Sequence, residues 1–251
     1  MSEVKMEVGQ KFPLTIKRLG INGEGVGFYK RNVVFVKGAL PGEEVTVKLT
    51  KVQNKFAEAE ILNIRRASED RIEPPCSVYA ECGGCQLQHM TYEAQLRNKR
   101  DIVMQALEKY LPEQADKLEV RPTIGMENPW NYRNKSSFQV RKEGKRVYAG
   151  LFAEGSHQLI NINNCLVQHP LTSKITVGVR KILQKLNIPI YDGKTLNGLV
   201  RTIVVRTGLQ TGETQVCLVT TRKDLPHKEE LIERIKKIDP SIVSITQNIN
   251  R

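Results

Sequence analysis

Four of the five cysteines in this 251-residue chain have a spacing that suits metal binding. Cys76, Cys82 and Cys85 fall within one short segment, and Cys165 lies far downstream. Three thiolates in one loop, with a fourth from a distant segment, can enclose a metal ion or an iron–sulfur cluster. The glycines at 83 and 84 let the backbone turn tightly between two ligands. We therefore predict a metal site on these four cysteines.

The spacing leaves two kinds of metal site open. Zinc ribbons usually contain two C-x2-C pairs, whereas only Cys82 and Cys85 form such a pair here. This difference favours a cuboidal iron–sulfur cluster over zinc. The fifth cysteine, Cys217, stands in an apolar run with strand character and has no neighbouring histidine or acid. We predict that Cys217 is a core residue rather than a nucleophile.

The charge distribution indicates a polyanionic partner. The chain carries a formal net charge of +12, with residues 1–66 at +5, residues 67–130 at −4 and residues 131–251 at +11. Basic flanks around an acidic centre that holds three of the cysteines are typical of two nucleic-acid-binding surfaces joined by a structural element. Charge alone leaves open the alternative of a basic protein without a specific polyanion.

Secondary-structure patterns predict a mixed fold with three regions. Five short β-rich runs separated by turn residues predict a small β-barrel of the oligonucleotide-binding kind over residues 1–66. Residues 67–90, together with the Cys165 region, form the predicted cluster loop. Over residues 91–251, helices and strands mix without regular βαβ alternation, which predicts an α+β domain. The glycines of Gly23–Gly27 are followed by further strand residues, so we interpret them as hairpin glycines rather than a dinucleotide loop.

Basic side chains near aromatic residues are the candidates for nucleic-acid contacts. Residues 130–138 mix aromatics with cations and amides, which suits phosphate contacts and base stacking. An ordinary strand with a basic, solvated face is the alternative. The candidates in this region are Arg133, Lys135, Phe138 and Arg141, and those in the barrel are Lys17, Arg18, Lys30 and Arg31.

Targeting signals are not evident in the sequence. The first residues lack a signal-peptide core, and the longest apolar runs are of strand length. Five cysteines without a secretion signal indicate a reducing compartment. We predict a cytoplasmic monomer that does not contact membranes, and we expect that Arg251, which follows a strand directly, is a cut rather than a natural terminus.

The run from Cys76 to His89, CSVYAECGGCQLQH, strongly resembles the cluster signature of the RNA uracil-C5 methyltransferases that act on large-subunit ribosomal RNA. The resemblance continues through residues 132–135, 165–168 and 205–208. Residues 18–20, 23–27 and 38–43 are similar to the accessory TRAM domain of that family. The similar segments cover essentially the whole chain in order.

The resemblance implies a [4Fe-4S] cluster on Cys76, Cys82, Cys85 and Cys165, an RNA-binding TRAM barrel and 23S ribosomal RNA as the partner. It also implies a Rossmann-like domain that binds S-adenosylmethionine, and a cysteine there that attacks C6 of a flipped-out uracil. The sequence shows no glycine-rich cofactor loop and no candidate nucleophile. We therefore predict that the Rossmann-like domain is mostly absent from this chain, that the chain holds no catalytic or S-adenosylmethionine-binding residue, and that alone it is inactive.

Two other interpretations differ in class. One is a freestanding RNA-binding module with a structural iron–sulfur or zinc site and no catalytic activity. The other is a radical S-adenosylmethionine enzyme, which needs a C-x3-C-x2-C motif. The gap between Cys76 and Cys82 and the distant ligand Cys165 argue against the radical enzyme.

Overall fold

The computed structural model describes residues 6–250. Residues 1–5 and Arg251, which the predicted boundaries include, lie outside the described residues. The strands are β1 (Lys11–Leu19), β2 (Gly25–Tyr29), β3 (Asn32–Val36), β4 (Glu44–Val52), β5 (Phe56–Arg66), β6 (Lys135–Glu143), β7 (Arg146–Phe152), β8 (Leu159–Asn161), β9 (Val200–Thr207), β10 (Thr214–Thr220) and β11 (Ile242–Ile249). The helices are α1 (Tyr92–Tyr110), α2 (Pro112–Ala115), α3 (Pro170–Lys185) and α4 (Lys228–Lys236).

The first five strands close into a barrel in the order β1-β2-β3-β5-β4. Burial alternates along β1, where Phe12, Leu14 and Ile16 point inward and their neighbours face solvent. This period of two is what a barrel strand requires, because successive side chains point to opposite faces. The predicted five-stranded barrel is confirmed.

A buried ion pair between Glu43 and Arg71 stabilises the connection between β3 and β4. Glu43 is fully buried, and both of its carboxylate oxygens accept hydrogen bonds from Arg71, at 2.5 Å from Nε and 2.8 Å from Nη2. The backbone N–H of Leu40 also donates to Glu43, at 2.8 Å, and Arg71 donates to the Gly38 carbonyl at 2.7 Å. The pair therefore ties the residues after the barrel to a turn inside it, while satisfying the buried charge.

Acidification is expected to destabilise the Glu43–Arg71 ion pair and the neighbouring His89 in two steps. Burial, and after it the charge of Arg71, lowers the pKa of His89, so stability falls as the pH drops below the ordinary histidine pKa of about 6.5. Burial acts to raise the pKa of Glu43, but hydrogen bonds from Arg71 and the backbone lower it overall. A second loss therefore follows as the pH falls below the usual glutamate pKa of about 4.3. Urea midpoints measured across this range check the prediction, and an unchanged midpoint down to about pH 4 would contradict it.

The remaining strands form one six-stranded sheet in the order β11-β10-β9-β6-β7-β8. Helix α3 packs on β6, β7 and β9, and α4 packs on β11 and on α3. The core between helices and sheet includes Phe138, Val179, Ile203, Val216 and Ile235. The pairing is antiparallel except between β10 and β11, which are parallel and joined by α4. The sheet thus ends in one βαβ unit, which the prediction of an α+β domain without regular βαβ alternation did not include.

The chain divides into two compact units that are discontinuous in sequence. The first runs to Pro75 and includes Cys85–Met126, and the second comprises Cys76–Gly84 and the residues from Glu127 onward. Helix α1 belongs to the first unit, because Ala94 packs in a small core with Leu19, Leu40 and Met90. The predicted boundaries at residues 66 and 90 therefore differ from these units. Across residues 6–250, no helix has the length and apolar character needed to span a membrane.

Candidate nucleic-acid interface

The four predicted cysteine ligands are divided between the two units. Cys76, Cys82 and Cys165 belong to the second unit, whereas Cys85 belongs to the first. Cys82 and Cys165 both pack at the edge of the second unit's core. Cys82 also pairs with Ala153 in an isolated bridge, and the N–H of Gly84 donates to its Sγ at 3.4 Å. The structure therefore brings two of the predicted ligands, Cys82 and Cys165, to one core.

Over the described part of the chain, no three His, Cys, Asp or Glu side chains form a group that could hold a metal ion. The chemistry of four thiols suits iron or zinc, but their placement does not gather them. The iron–sulfur cluster is therefore not supported by the structure, and it stays a prediction from cysteine spacing.

The four barrel candidates are all exposed cations. Lys17 and Arg18 stand near the end of β1, and Lys30 and Arg31 form the two-residue turn between β2 and β3. The Lys30 ammonium lies 5.2 Å from the centre of the Tyr29 ring. Such cations are available for phosphate contacts, since their charges face solvent.

The turn at Lys30 and Arg31 has an unusual backbone for these residue types. Both residues have positive φ, 48° and 72°, in a two-residue hairpin that pairs Tyr29 with Asn32. Hairpins with positive φ at both positions prefer Asn-Gly or Asp-Gly, and a side chain with a Cβ is strained there. Two long cations at a strained turn are consistent with a functional rather than a folding role.

Replacing this turn by its preferred sequence separates stability from binding. The double variant Lys30→Asn, Arg31→Gly is expected to raise the free energy of unfolding by about 1 kcal/mol, because it relieves the positive-φ strain. The same variant is expected to weaken binding to single-stranded RNA, because two cations are lost. Thermal melting and fluorescence anisotropy measure the two effects. Lys17→Gln, on a regular strand, is the control that removes charge without relieving strain, and equal melting temperatures for both variants would contradict the prediction.

Two of the candidates in the second unit are exposed at the start of the sheet. Arg133 lies 5.8 Å from the centre of the exposed Tyr132 ring, and its backbone bonds to Val167 and His169 at the start of α3. Lys135 is the first, exposed residue of β6. Arg141 is half-buried further along β6, with its guanidinium 5.4 Å from the Phe152 ring. These three cations remain candidates for RNA contacts.

Two predictions about side-chain direction are corrected by the sheet. Phe138 is 1% exposed and lies in the core, so its ring is not available to stack on a base. Cys217 is partly exposed, whereas its neighbours Val216 and Leu218 are buried. Alternation along a strand places every second residue on the same face, and composition alone does not reveal which face is covered.

One exposed cation near this region was not predicted. Arg206 on β9 lies directly opposite Lys135 on β6. Its neighbours Val205 and Thr207 are buried. The alternation within β9 could have indicated an outward Arg206, but its pairing with β6 joins strands that are distant in sequence.

Known proteins show a consistent similarity to this chain. Residues 5–62 match the TRAM domain. A Bacillus anthracis protein named as an uncharacterized RNA methyltransferase is 57% identical over 99% of this chain and 54% of its own length. A Listeria monocytogenes protein with the same description is 54% identical over 100% of this chain and 55% of its own length. The chain spans about half the length of the curated relatives it matches.

A solved structure extends the similarity to the fold. The crystal structure of Pyrococcus abyssi tRNA (uracil-54, C5)-methyltransferase, in complex with S-adenosyl-L-homocysteine, matches with a TM-score of 0.68. It is 25% identical to this chain, and the match covers 95% of this chain and 51% of the Pyrococcus chain. The similarity therefore includes both the barrel and the six-stranded sheet.

Two predictions are corrected by these similarities. The prediction that the Rossmann-like methyltransferase domain is mostly absent from this chain is wrong, because a methyltransferase structure matches 95% of the chain. The prediction that the chain alone is an inactive RNA-recognition part is overturned likewise, since 99% of the chain aligns with a protein named as an RNA methyltransferase.

Proposed function

We propose that this protein is an S-adenosylmethionine-dependent methyltransferase that modifies C5 of uracil in RNA. The match to a tRNA uracil-C5 methyltransferase fold, at a TM-score of 0.68, is the observation that carries the proposal. The TRAM domain and the relatives named as RNA methyltransferases support it. Exposed cations on the barrel and on the sheet supply the electrostatic attraction that RNA binding requires.

The methyl donor is proposed from the S-adenosyl-L-homocysteine in the Pyrococcus complex. A cradle for this cofactor would be expected at the βαβ unit, where β10 leads into α4. Nucleotide-like cofactors are usually held there by glycines that let the backbone approach, but residues 221–227 contain no glycine. These residues do not fit the cofactor, and we assign none of them to it.

We propose 23S ribosomal RNA as the substrate, on the resemblance of the Cys76–His89 segment to enzymes that act on large-subunit RNA. Transfer RNA is the alternative, since the Pyrococcus protein acts on uracil-54 of tRNA. The cations proposed to contact the RNA are Lys17, Arg18, Lys30, Arg31, Arg133, Lys135 and Arg141.

A methylation assay with both RNAs tests the proposal. The purified protein is incubated with S-adenosylmethionine labelled in the methyl group and with unmodified 23S ribosomal RNA or transfer RNA transcripts. Nucleoside analysis is expected to show 5-methyluridine in the ribosomal transcript. Label in transfer RNA alone would show that transfer RNA, rather than 23S ribosomal RNA, is the substrate. Label in neither RNA would contradict the proposed activity.

We also propose, from the cysteine spacing and from the resemblance of residues 76–89 to a cluster signature, that Cys76, Cys82, Cys85 and Cys165 bind a structural [4Fe-4S] cluster. Protein purified without oxygen is expected to contain about four irons and four sulfides per chain. One zinc per chain, or no metal, would exclude the cluster. Cys165→Ser is expected to lose the iron and to destabilise the second unit, because metal binding and folding are coupled, whereas Cys217→Ser keeps the iron.

A further inference from the structure

We propose that the helix-free face of the six-stranded sheet binds single-stranded RNA. The surface consists of two neighbouring rows of side chains that cross β6, β9, β10 and β11. We call them the cationic row (Lys135, Arg206, Gln215 and Ser244) and the neutral row (Ser137, Val204, Cys217 and Thr246). The inference rests on the proposed RNA-modifying function and names a surface that would hold the substrate.

Strand register aligns the side chains of each row. Lys135 pairs with Arg206, Arg206 pairs with Gln215, and Gln215 pairs with Ser244 and donates to its hydroxyl at 3.4 Å. Paired residues on neighbouring strands place their Cβ atoms about 4.5–5.5 Å apart on the same face. The cationic row is therefore continuous across four strands.

One face of the sheet is buried and the other is open at these rows. The alternate residues Ser136, Val205 and Val216 have no exposed surface. They lie on the side of α3 and α4, since Ser136 is hydrogen-bonded to a threonine of α3 and the two valines share a core with both helices. Every residue of the two rows is exposed or half-buried. Each row therefore presents its side chains to solvent rather than to the helices.

The charge of this surface is unbalanced. Lys135 and Arg206 lie directly opposite each other, and like charges in this position repel. Within residues 6–250 neither is in an ion pair, and neither row contains a carboxylate. A phosphate backbone along the cationic row would relieve the repulsion that the fold leaves in place.

The neutral row suits the nucleoside side of an RNA strand. Its side chains are small or of medium size and protrude little from the sheet, so the nucleosides of an RNA strand can approach the strands closely. The hydroxyl groups of Ser137 and Thr246 offer hydrogen bonds to ribose or base edges. Single-stranded RNA is expected to lie with its phosphate backbone over the cationic row and its nucleosides over the neutral row.

Cys217 is a chemical probe at the centre of this surface. It is partly exposed, and the tryptic peptide 207–222 contains it without any other cysteine. The full chain is alkylated with and without a uridine-containing RNA oligonucleotide, and mass spectrometry follows this peptide. RNA is expected to slow alkylation of Cys217 several-fold. A Cys217 that is unreactive without RNA would show that a protein surface covers the face, and would overturn the proposal.

A charge-removal variant tests the cationic row separately. Lys135→Gln with Arg206→Gln is expected to reduce the slope of log affinity against log salt by about 1.4, since each lost phosphate contact on single strands contributes about 0.7. The matched control, Lys181→Gln with Lys185→Gln, removes two cations from the exposed side of α3 and is expected to leave the slope unchanged.

The failures of this inference and of the proposed function give different results. If the chain binds RNA in a salt-dependent manner but Cys217 is not protected and the two double variants behave alike, the sheet face is not the site and RNA binding stands. If the unaltered chain binds no RNA, both proposals fail together.

Discussion

Replacing Glu43 by glutamine is expected to lower the free energy of unfolding of the first unit by about 3 kcal/mol, because it leaves a largely buried arginine without its counter-charge. Glu43 is fully buried, and the side chain of its partner Arg71 is 23% exposed. The partial exposure of Arg71 places the expected loss at the low end of the range of about 3–5 kcal/mol known for broken buried pairs.

The two units can be followed separately in this measurement. The single tryptophan, Trp130, lies in the second unit, so its fluorescence reports on the sheet, whereas circular dichroism reports on both units. In urea, Glu43→Gln is expected to shift the dichroism transition to lower concentration while the fluorescence transition stays in place.

The neighbouring residue supplies a matched control. Glu44 pairs with Arg66 at 3.8 Å, and both side chains are exposed, at 45% and 76%. Exposed pairs contribute little to stability, so Glu44→Gln is expected to change the free energy of unfolding by less than about 0.5 kcal/mol. Equal losses of unfolding free energy in Glu43→Gln and Glu44→Gln would contradict the prediction that the buried ion pair contributes more than the exposed one.

Replacing Gly150 by alanine is expected to destabilise the second unit by about 3 kcal/mol, because overpacking against backbone cannot be relieved by rotating a side chain. A Cβ at this position would lie 1.9 Å from the carbonyl oxygen of Ile160. Gly150 pairs with Asn161 at the junction of β7 and β8, so the clash would separate the edge strand from the sheet.

Trp130 fluorescence measures this loss directly. The control is Gly193→Ala, because a Cβ there would meet only the end of the Arg141 side chain, at 3.7 Å. It is expected to leave the urea midpoint within the usual range of surface substitutions, about 0.5 kcal/mol. A Gly150→Ala variant as stable as Gly193→Ala would show that β8 is not held against β7 in solution.

Local sequence patterns predicted most of the strands and helices. The apolar period of residues 170–186 and the Asn-x-Pro that follows it predict a helix, and one is observed at Pro170–Lys185. Helix α2 and the three-residue strand β8 are too short to show a period. Pro112 ends the pattern of α1 and also begins α2.

Features that join distant residues could not be predicted in this way. Glu43 and Arg71 are 28 residues apart, and neither neighbourhood indicates a partner. The pairing of β6 with β9 likewise spans the intervening β7, β8 and α3. Without that pairing, the sequence does not show whether Phe138 and Cys217 point to the core or to solvent, and the row that contains Arg206 cannot be recognised.

The discontinuity of the two units has a consequence for the order of events during synthesis. The first unit is complete once Met126 has left the ribosome, whereas the segment Cys76–Gly84 must wait for its bridge to Ala153. At about 5–20 residues per second this wait lasts several seconds. During that interval Cys76 and Cys82 lie on a loop whose bridging partner Ala153 has not yet been synthesised. We therefore expect this loop to be a point of proteolytic cleavage in the nascent chain.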